Sequence, residues 1–169
     1  MKNLSLRTIN AFLVGITILA SLIAILYFQK HLGLEPCPLC IFQRIGLWIM
    51  GAFALLAVLI NPKKLITRLV LWLGAVLGVL WGGGVAARHV WLQHLPPDQV
   101  PACGPGLNYW VDTLPILQVF QEVLKGSGEC AEIDWQMFGF SIPELTLVLF
   151  VFLGLVLLLA LKKIIKKEP

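Results

Sequence analysis

Four long stretches without a charged residue constrain the fold of this chain more than any other feature. They are Thr8–Gln29, Ile45–Pro62, Leu69–Ala87 and Leu145–Leu161. A helix needs ~20 apolar residues, within a range of about 17–25, to cross the hydrocarbon core of a bilayer. Four buried helices of a soluble protein would need much more polar chain to cover them, and only 13% of the residues are charged. The stretches therefore predict four transmembrane helices.

The predicted fold is all-α, a membrane four-helix bundle with up-down-up-down topology in a single transmembrane domain over residues 1–169. Helices are expected at about 9–28, 45–61, 69–88 and 144–161, with outer loops at about 29–44 and 89–143. The first uncharged run, 22 residues long, exceeds the ~7–15 residues usual for a signal peptide, and no A-x-A-like site follows it. We therefore expect the first helix to be retained.

The basic residues predict the orientation in the membrane. The N-terminus, the loop at 61–68 and the C-terminal tail share one side, which holds nine of the thirteen basic residues. They are Lys2, Arg7, Lys63, Lys64, Arg68, Lys162, Lys163, Lys166 and Lys167. The positive-inside rule places this side in the cytoplasm. The net charge of +4 is thus a signal of topology and does not indicate nucleic-acid binding.

Small residues recur at every fourth position of the third predicted helix, at Gly74, Gly78, Gly82 and Ala86. Such a ridge lets helix backbones approach closely in lipid, so it predicts packing against a neighbour. The alternative is that three consecutive glycines at 82–84 leave room for a ligand.

The long outer loop contains a short amphipathic pattern over Pro115–Lys125, which predicts a helix too short to span the membrane. This helix can lie flat on the membrane surface or pack on the top of the bundle. The fourth transmembrane helix is expected to begin with a capping box, in which Ser141 is followed three residues later by Glu144.

All four cysteines lie on the outer side, with Cys37 and Cys40 in the first outer loop and Cys103 and Cys130 in the second. Disulfides persist outside the cytosol. A zinc site is disfavoured because the second pair is 27 residues apart and forms no second knuckle. Structural disulfides suit the second pair, whose closed loop could add ~3 kcal/mol, but a two-residue spacer constrains the first pair little. A redox-active pair is the third interpretation and the one we favour.

The first pair is expected at the beginning of a helix, with Pro38 in its first turn. A thiolate there faces unpaired N–H groups and the positive end of the helix dipole. Arg44 follows Cys40 by four residues, so it shares a helix face with that thiol. It can favour the thiolate or hold a polar ligand group; the alternative is an arginine that reaches to the membrane interface.

A dithiol at the edge of the bilayer can pass electrons to a lipid-soluble two-electron acceptor, and a quinone is the obvious one. Arg44 and His89 are the candidate hydrogen-bond donors to its oxygens. For His89 the alternative is a histidine at the interface with no role.

The second pair lies in segments of flexible composition. Cys103 falls within Pro101–Gly106, which resists both helix and strand, and Cys130 follows two glycines at 126 and 128. A disulfide between such segments would be open to an incoming thiolate, and disulfides of this kind are labile.

With these motifs the chain resembles the disulfide bond formation protein B (DsbB) family of bacterial inner-membrane oxidases. The resemblance covers four spans with both termini inside, C-x-x-C followed by Arg44, and a glycine-containing third helix that ends near His89. It extends to the two-cysteine outer loop, which continues GECAEIDW. The family's electron relay from a periplasmic thioredoxin-fold oxidase to quinone is established for bacteria, so the resemblance supplies it.

The resemblance implies a protein-dithiol:quinone oxidoreductase with ubiquinone or menaquinone as cofactor and a DsbA-like partner. From the cysteine spacing, no metal site is expected. The reduced partner would attack a Cys103–Cys130 disulfide at Cys103. The freed Cys130 would exchange with Cys37, and Cys40 would be released as the thiolate that reacts with quinone. Arg44 would hold and polarise the quinone.

The resemblance also implies that His89 is a second quinone-binding residue.

Two alternative functions for the protein are an enzyme like vitamin K epoxide reductase and a membrane subunit with structural disulfides. In the reductase family the loop cysteines precede C-x-x-C, the opposite of the order found here.

Overall fold

The computed structural model describes residues 5–166, so Lys2 and Lys167 of the basic group lie outside the described residues. The helices are α1 (Leu6–Leu22, continued by a π-helical segment Ile23–His31), α2 (Pro38–Ile60), α3 (Leu65–Gln93), α4 (Leu107–Thr113), α5 (Ile116–Lys125), α6 (Gly128–Ala131) and α7 (Ile142–Ile165). Two short antiparallel strands, β1 (Gln136–Met137) and β2 (Phe140–Ser141), pair just before α7.

Four helices within residues 5–166 are long and apolar enough to span a membrane, which confirms the predicted all-α membrane bundle. They are Leu6–His31, Pro38–Ile60, Leu65–Gln93 and Ile142–Ile165. Many of their large apolar side chains are exposed, as lipid-facing side chains are, and α2 and α3 form the most extensive contact between helices.

All four of these helices extend beyond the predicted bounds, the second and the third by the most. The second begins at Pro38 rather than near residue 45, and the third continues to Gln93 rather than ending near residue 88. The predicted bounds followed the charge-free stretches, which stop at Arg44 and Arg88. A helical backbone does not end at a charge, and it begins where Cys37 caps the first turn.

The glycine ridge packs against α2. A Cβ placed on Gly46 of α2 would lie 2.6 Å from the backbone nitrogen of Gly82. One placed on Gly78 would lie 2.6 Å from the backbone nitrogen of Met50. The two backbones are therefore in direct contact, which confirms the packing interpretation of the ridge. This contact fixes the height of α3 relative to the start of α2.

The predicted short helix of the outer loop is α5, which packs on the top of the bundle. Val123 is buried, and the Phe120 ring meets the Phe42 ring of α2 edge-on at 5.3 Å. Ile116 and Leu117 at its N-terminal end are exposed. One face thus packs on the bundle, and two apolar side chains remain outside it.

The start of α1, the loop after α2 and the end of α7 meet at one end of the bundle, where they line a shared cleft. Its lining residues are Leu6, Arg7, Asn10, Ala57, Asn61, Pro62, Arg68, Leu71, Trp72, Ala160 and Ile164. The cysteines lie at the opposite end. The predicted capping box is present at the start of α7, where the side chains of Ser141 and Glu144 each accept from the other's backbone N–H.

Candidate active site

The C-x-x-C pair is built into the first turn of α2. Cys37 is the N-cap residue, and its sulfur accepts a hydrogen bond from the backbone N–H of Cys40 at 3.4 Å. Pro38 occupies the first turn, where its missing N–H costs nothing. The two sulfur atoms are 3.1 Å apart. The predicted placement of the pair at a helix N-terminus is therefore confirmed.

His89 of α3 lies against both sulfur atoms of this pair. Its Nε2 is 3.8 Å from the sulfur of Cys37, and its Nδ1 is 3.9 Å from the sulfur of Cys40. The side chain is only 2% exposed. The structure thus brings together three residues that the sequence marked separately.

Gln43 is a member of this group that sequence reasoning missed. It is 4% exposed, and its Nε2 lies 3.0 Å from Nδ1 of His89. It follows Cys40 by three residues, so the two share a helix face. An amide among apolar residues, one turn after a reactive thiol, was the signal that could have found it.

Cys130 completes the group from the outer loop. Its sulfur, the sulfur of Cys37 and a ring nitrogen of His89 all lie within 4.8 Å of one another. Its backbone oxygen accepts a hydrogen bond from His89 Nε2 at 2.9 Å. Cys130 is 1% exposed, so the expectation of a loose, accessible segment is wrong for this cysteine. The segment is a short helical turn, and its backbone is held by contacts that the local sequence does not reveal.

Cys103 remains exposed in an irregular segment, as predicted. This segment lies beside the turn that carries Cys130, because Gly128 N donates to the Ala102 oxygen at 3.4 Å. A Cβ on Gly128 would lie 2.9 Å from the Cys103 sulfur. Only glycine permits so close an approach. All four cysteines are free in this structure, and Cys130 lies against Cys37 and next to the Cys103 segment.

Burial and mutual contacts set the acidities of the two meeting thiols. The contact with Cys37, followed by burial, raises the pKa of Cys130. For Cys37 the contact with Cys130 lowers the pKa, but the hydrogen bond with Cys40 and burial outweigh it and raise the pKa overall. While the neighbouring cysteines are thiols, the position of Cys37 at the helix N-terminus is therefore not enough to lower its pKa.

Arg44 lies one turn beyond Cys40 on α2, and its side chain is half-buried. It donates to the Gln29 side chain at 3.0 Å, at the end of the first membrane helix. Ile45 and Trp48 beside it are exposed. A guanidinium has five N–H donors, so the contact with Gln29 leaves donors for another oxygen. These features fit a quinone head group that enters from the lipid.

Cys37, His89 and Cys130 carry atom types that zinc also takes. Both ring nitrogens of His89, however, already have hydrogen-bond partners, namely Gln43 and the Cys130 carbonyl. The group is therefore better described as thiols arranged around an imidazole.

A helical membrane bundle with a dithiol at a helix N-terminus, and a third thiol delivered to it by a loop, defines a membrane thiol–disulfide oxidoreductase. The family described as Disulfide bond formation protein DsbB matches residues 7–160. The chain belongs to this family, which confirms the resemblance that the motifs predicted.

Relatives named Disulfide bond formation protein B are similar over most of their length. The one from Psychrobacter sp. (strain PRwf-1) is 57% identical over 165 residues, 98% of this chain and 96% of the relative. The one from Acinetobacter baumannii is 57% identical over 148 residues, 85% of this chain and 86% of the relative. The one from Methylococcus capsulatus is 44% identical over 146 residues, 86% and 88% of the two chains.

Proposed function

We propose that this protein is a protein-dithiol:quinone oxidoreductase. It reoxidises a periplasmic thioredoxin-fold disulfide donor of the DsbA type and passes the electrons to membrane quinone, which sustains disulfide formation. The observation that carries the proposal is the approach of the Cys130 sulfur to within 4.8 Å of the Cys37 sulfur. A loop thiol that reaches a helix dithiol lets disulfides pass between the two pairs by exchange.

The first exchange takes place at the exposed cysteine. A thiolate of the reduced partner attacks the Cys103 sulfur of a Cys103–Cys130 disulfide, which forms a partner–Cys103 mixed disulfide and releases Cys130 as a thiolate. The exposure of Cys103 supports this choice of sulfur, since an attacking protein cannot reach the buried Cys130.

The second exchange moves the disulfide toward the membrane. The Cys130 thiolate attacks the Cys37 sulfur of a Cys37–Cys40 disulfide, and Cys40 leaves as a thiolate. Cys40 is the residue of the pair that shares a helix face with Arg44. Its negative charge therefore develops on the side from which a quinone would approach.

The remaining exchanges release the oxidised partner. The partner's second thiolate attacks its own sulfur in the mixed disulfide, and Cys103 leaves as a thiolate. Cys103 then attacks Cys130 of the Cys37–Cys130 disulfide, which restores Cys103–Cys130 and leaves Cys37 and Cys40 reduced. A quinone, when bound, supplies the final oxidation by accepting two electrons and two protons.

We assign the quinone-facing role to Arg44, whose guanidinium offers N–H donors at the lipid-facing surface. His89 stays a second predicted donor to the quinone. Its Nε2 is occupied by the Cys130 carbonyl, so a quinone contact at that atom requires the Cys130 segment to leave first.

The energetics favour a quinone as the terminal acceptor. DsbA-type oxidases have potentials of about −120 mV, so their regeneration needs a stronger oxidant than the glutathione pool. Each ~30 mV corresponds to ~1.4 kcal/mol for two electrons, and an acceptor ~100 mV higher would supply roughly 4–5 kcal/mol.

We place the protein in the bacterial inner membrane with both termini in the cytoplasm. The clustering of the two terminal helices and the loop at 61–68 at one end of the bundle supports a shared compartment for them. The cysteine end then faces the periplasm, where the oxidase partner is found.

The test is turnover with purified components. The protein, a reduced thioredoxin-fold oxidase and either ubiquinone or menaquinone are mixed in detergent, and quinone absorbance is followed. We expect stoichiometric quinone reduction and partner oxidation, and none with a variant in which all four cysteines are serine. An intact protein that turns over neither quinone contradicts the proposal.

A further inference from the structure

The contact between His89 and the backbone of Cys130 has a direction that the chemistry of the atoms determines. A carbonyl oxygen only accepts hydrogen bonds, so Nε2 of His89 must carry the hydrogen and donate it to the Cys130 oxygen at 2.9 Å. The imidazole is 2% exposed and Cys130 is 1% exposed. This hydrogen bond therefore links the loop to α3 in a site without competing water.

Gln43 is placed to hold His89 in that protonation form. With the hydrogen on Nε2, a neutral imidazole has a lone pair on Nδ1. The Nε2 amide group of Gln43 lies 3.0 Å from Nδ1 and can donate to it. The opposite tautomer would place a hydrogen against the amide N–H and a lone pair against the carbonyl. With its amide in this orientation, Gln43 therefore favours the tautomer that binds Cys130.

Neighbouring residues of α3 contact the same stretch of loop in the same manner. Arg88 donates to the backbone oxygens of Leu124 at 3.1 Å and Lys125 at 2.8 Å. Gln93 donates to the backbone oxygen of Glu132 at 3.3 Å. The outer end of α3 thus binds backbone carbonyls on both sides of Cys130, and the His89 contact is the one at the reactive cysteine itself.

We infer that Gln43 and His89 are positioning residues that deliver Cys130 to Cys37. Gln43 fixes the tautomer of His89, and the Nε2–H of His89 holds the Cys130 backbone so that its thiol lies against Cys37. The inference rests on the proposed function in one respect, since it concerns the exchange between these two cysteines. It gives the buried glutamine a role in the reaction, and it gives His89 a role that does not depend on quinone.

The experiment measures the Cys37–Cys130 disulfide in isolation. A variant with Cys40→Ser and Cys103→Ser keeps only these two thiols. Equilibration with reduced and oxidised glutathione gives the constant for forming the disulfide, in which two thiols are oxidised as one oxidised glutathione is reduced. Neither quinone nor the partner oxidase takes part, so the result stands apart from the outcome of the turnover test.

Two substitutions of His89 form a matched pair. In His89→Gln the side-chain amide nitrogen lies near the position of Nε2 and can still donate to the Cys130 carbonyl. In His89→Asn the amide is too short to reach it. We expect His89→Asn to lower the constant about tenfold or more, the factor that corresponds to ~1.4 kcal/mol. We expect His89→Gln to stay within about threefold of the parent, because a buried hydrogen bond is restored.

The same substitutions in a Cys103→Ser/Cys130→Ser background give the constant for the Cys37–Cys40 disulfide. A general disturbance of the fold or of the thiols lowers both constants together. A positioning role lowers the ratio of the Cys37–Cys130 constant to the Cys37–Cys40 constant. The ratio is therefore the measured quantity.

Gln43→Leu tests the second member of the pair. It removes the donor to Nδ1, which frees the imidazole to adopt the wrong tautomer, and we expect the ratio to fall about threefold to tenfold. The inference is overturned for His89 if His89→Asn leaves the ratio unchanged or if His89→Gln lowers it as far. An unchanged ratio in Gln43→Leu overturns the role of Gln43.

Discussion

The two cysteine pairs are held by different kinds of structure. Cys37 and Cys40 belong to one helical turn, and their sulfur atoms are 3.1 Å apart because local backbone geometry puts them there. Cys103 and Cys130 are held by tertiary contacts, and the two have different surroundings. Cys103 is exposed in irregular chain, while Cys130 is buried against α2 and α3.

This difference suits the two tasks of the proposed relay. In that proposal the helix-borne pair is the unit at the membrane end. The loop-borne pair would offer the exposed sulfur of Cys103 to a soluble partner and the buried sulfur of Cys130 to the helix pair. The unequal exposure of the second pair would then connect the soluble partner to the membrane.

The largest effect should come from removing Cys40, the thiol that is proposed to react with quinone. Cys40→Ser should reduce quinone turnover to background, because no thiolate is then released beside Arg44. The variant should still form a mixed disulfide with the partner at Cys103, which non-reducing electrophoresis detects. Cys103→Ser is the matched control, since it should lose both the mixed disulfide and turnover. Full turnover by Cys40→Ser would remove this residue from the mechanism.

The second comparison is of thiol reactivity within the loop pair. In the fully reduced protein, iodoacetamide should modify Cys103 at least about tenfold faster than Cys130, since the reactive species is an accessible thiolate. The contact with Cys37 and burial raise the pKa of Cys130. Its thiol therefore stays protonated as the pH rises through the range in which ordinary thiols ionise, and its modification should begin only at more alkaline pH.

Mass spectrometry of peptides taken at successive times and pH values measures the two rates. Urea-unfolded protein is the control, in which the rates should converge. Equal rates in the folded protein would show that Cys130 is not held in its buried position.

A smaller effect is expected at the lipid-facing side of the helix pair. Arg44→Ala should raise the apparent KM for quinone by about tenfold, the cost of one charge-assisted hydrogen bond, and leave the KM for the protein partner unchanged. Arg44→Lys should lie between, because lysine keeps the charge but not the planar fork of donors. Steady-state kinetics with each substrate varied in turn separates the two constants. If the KM for quinone does not change, Arg44 does not bind quinone, and its contact is the hydrogen bond to Gln29.

The smallest effect should come from the close contact between Gly128 and the Cys103 segment. A methyl group on Gly128 would press on the Cys103 sulfur at 2.9 Å and the Pro101 oxygen at 3.0 Å. Gly128→Ala should therefore shift the Cys103 segment away from Cys130 and slow partner oxidation about threefold, an effect of under ~1 kcal/mol. Gly84→Ala is a suitable control, because nothing lies within 4 Å of its added methyl group. If Gly128→Ala and Gly84→Ala oxidise the partner at equal rates, the contact between Gly128 and the Cys103 segment is not important for the reaction.

Much of the fold could be predicted because its signals are local or compositional. The four spans follow from apolar length, the start of α7 from a capping box, and the start of the cysteine helix from a proline next to an N-cap residue. The bounds of the helices could not be read from charge, since Arg44 and Arg88 lie inside helices that continue past them. Hydrophobicity reports the lipid-embedded part of a helix and not its hydrogen-bonded ends.

The sequence marked most residues of the candidate site but neither Gln43 nor the arrangement of the group. The cysteines, Arg44 and His89 could be marked from residue type and spacing. The burial of Cys130 could not, because the glycine-rich sequence around it is typical of a flexible loop. Its position depends on hydrogen bonds from α3 to its backbone, and a carbonyl oxygen carries no sequence signature.

The amino-acid sequence alone determined that this chain spans a membrane four times and places a dithiol at a helix N-terminus, since both follow from short-range patterns of polarity and capping. The resemblance implied that Cys130 meets this dithiol, but only the tertiary structure brought the Cys130 and Cys37 sulfurs together and placed Gln43 and His89 beside them. The physical reason is that backbone contact between α2 and α3 sets the height of His89. The loop is then held by hydrogen bonds between groups far apart in the chain.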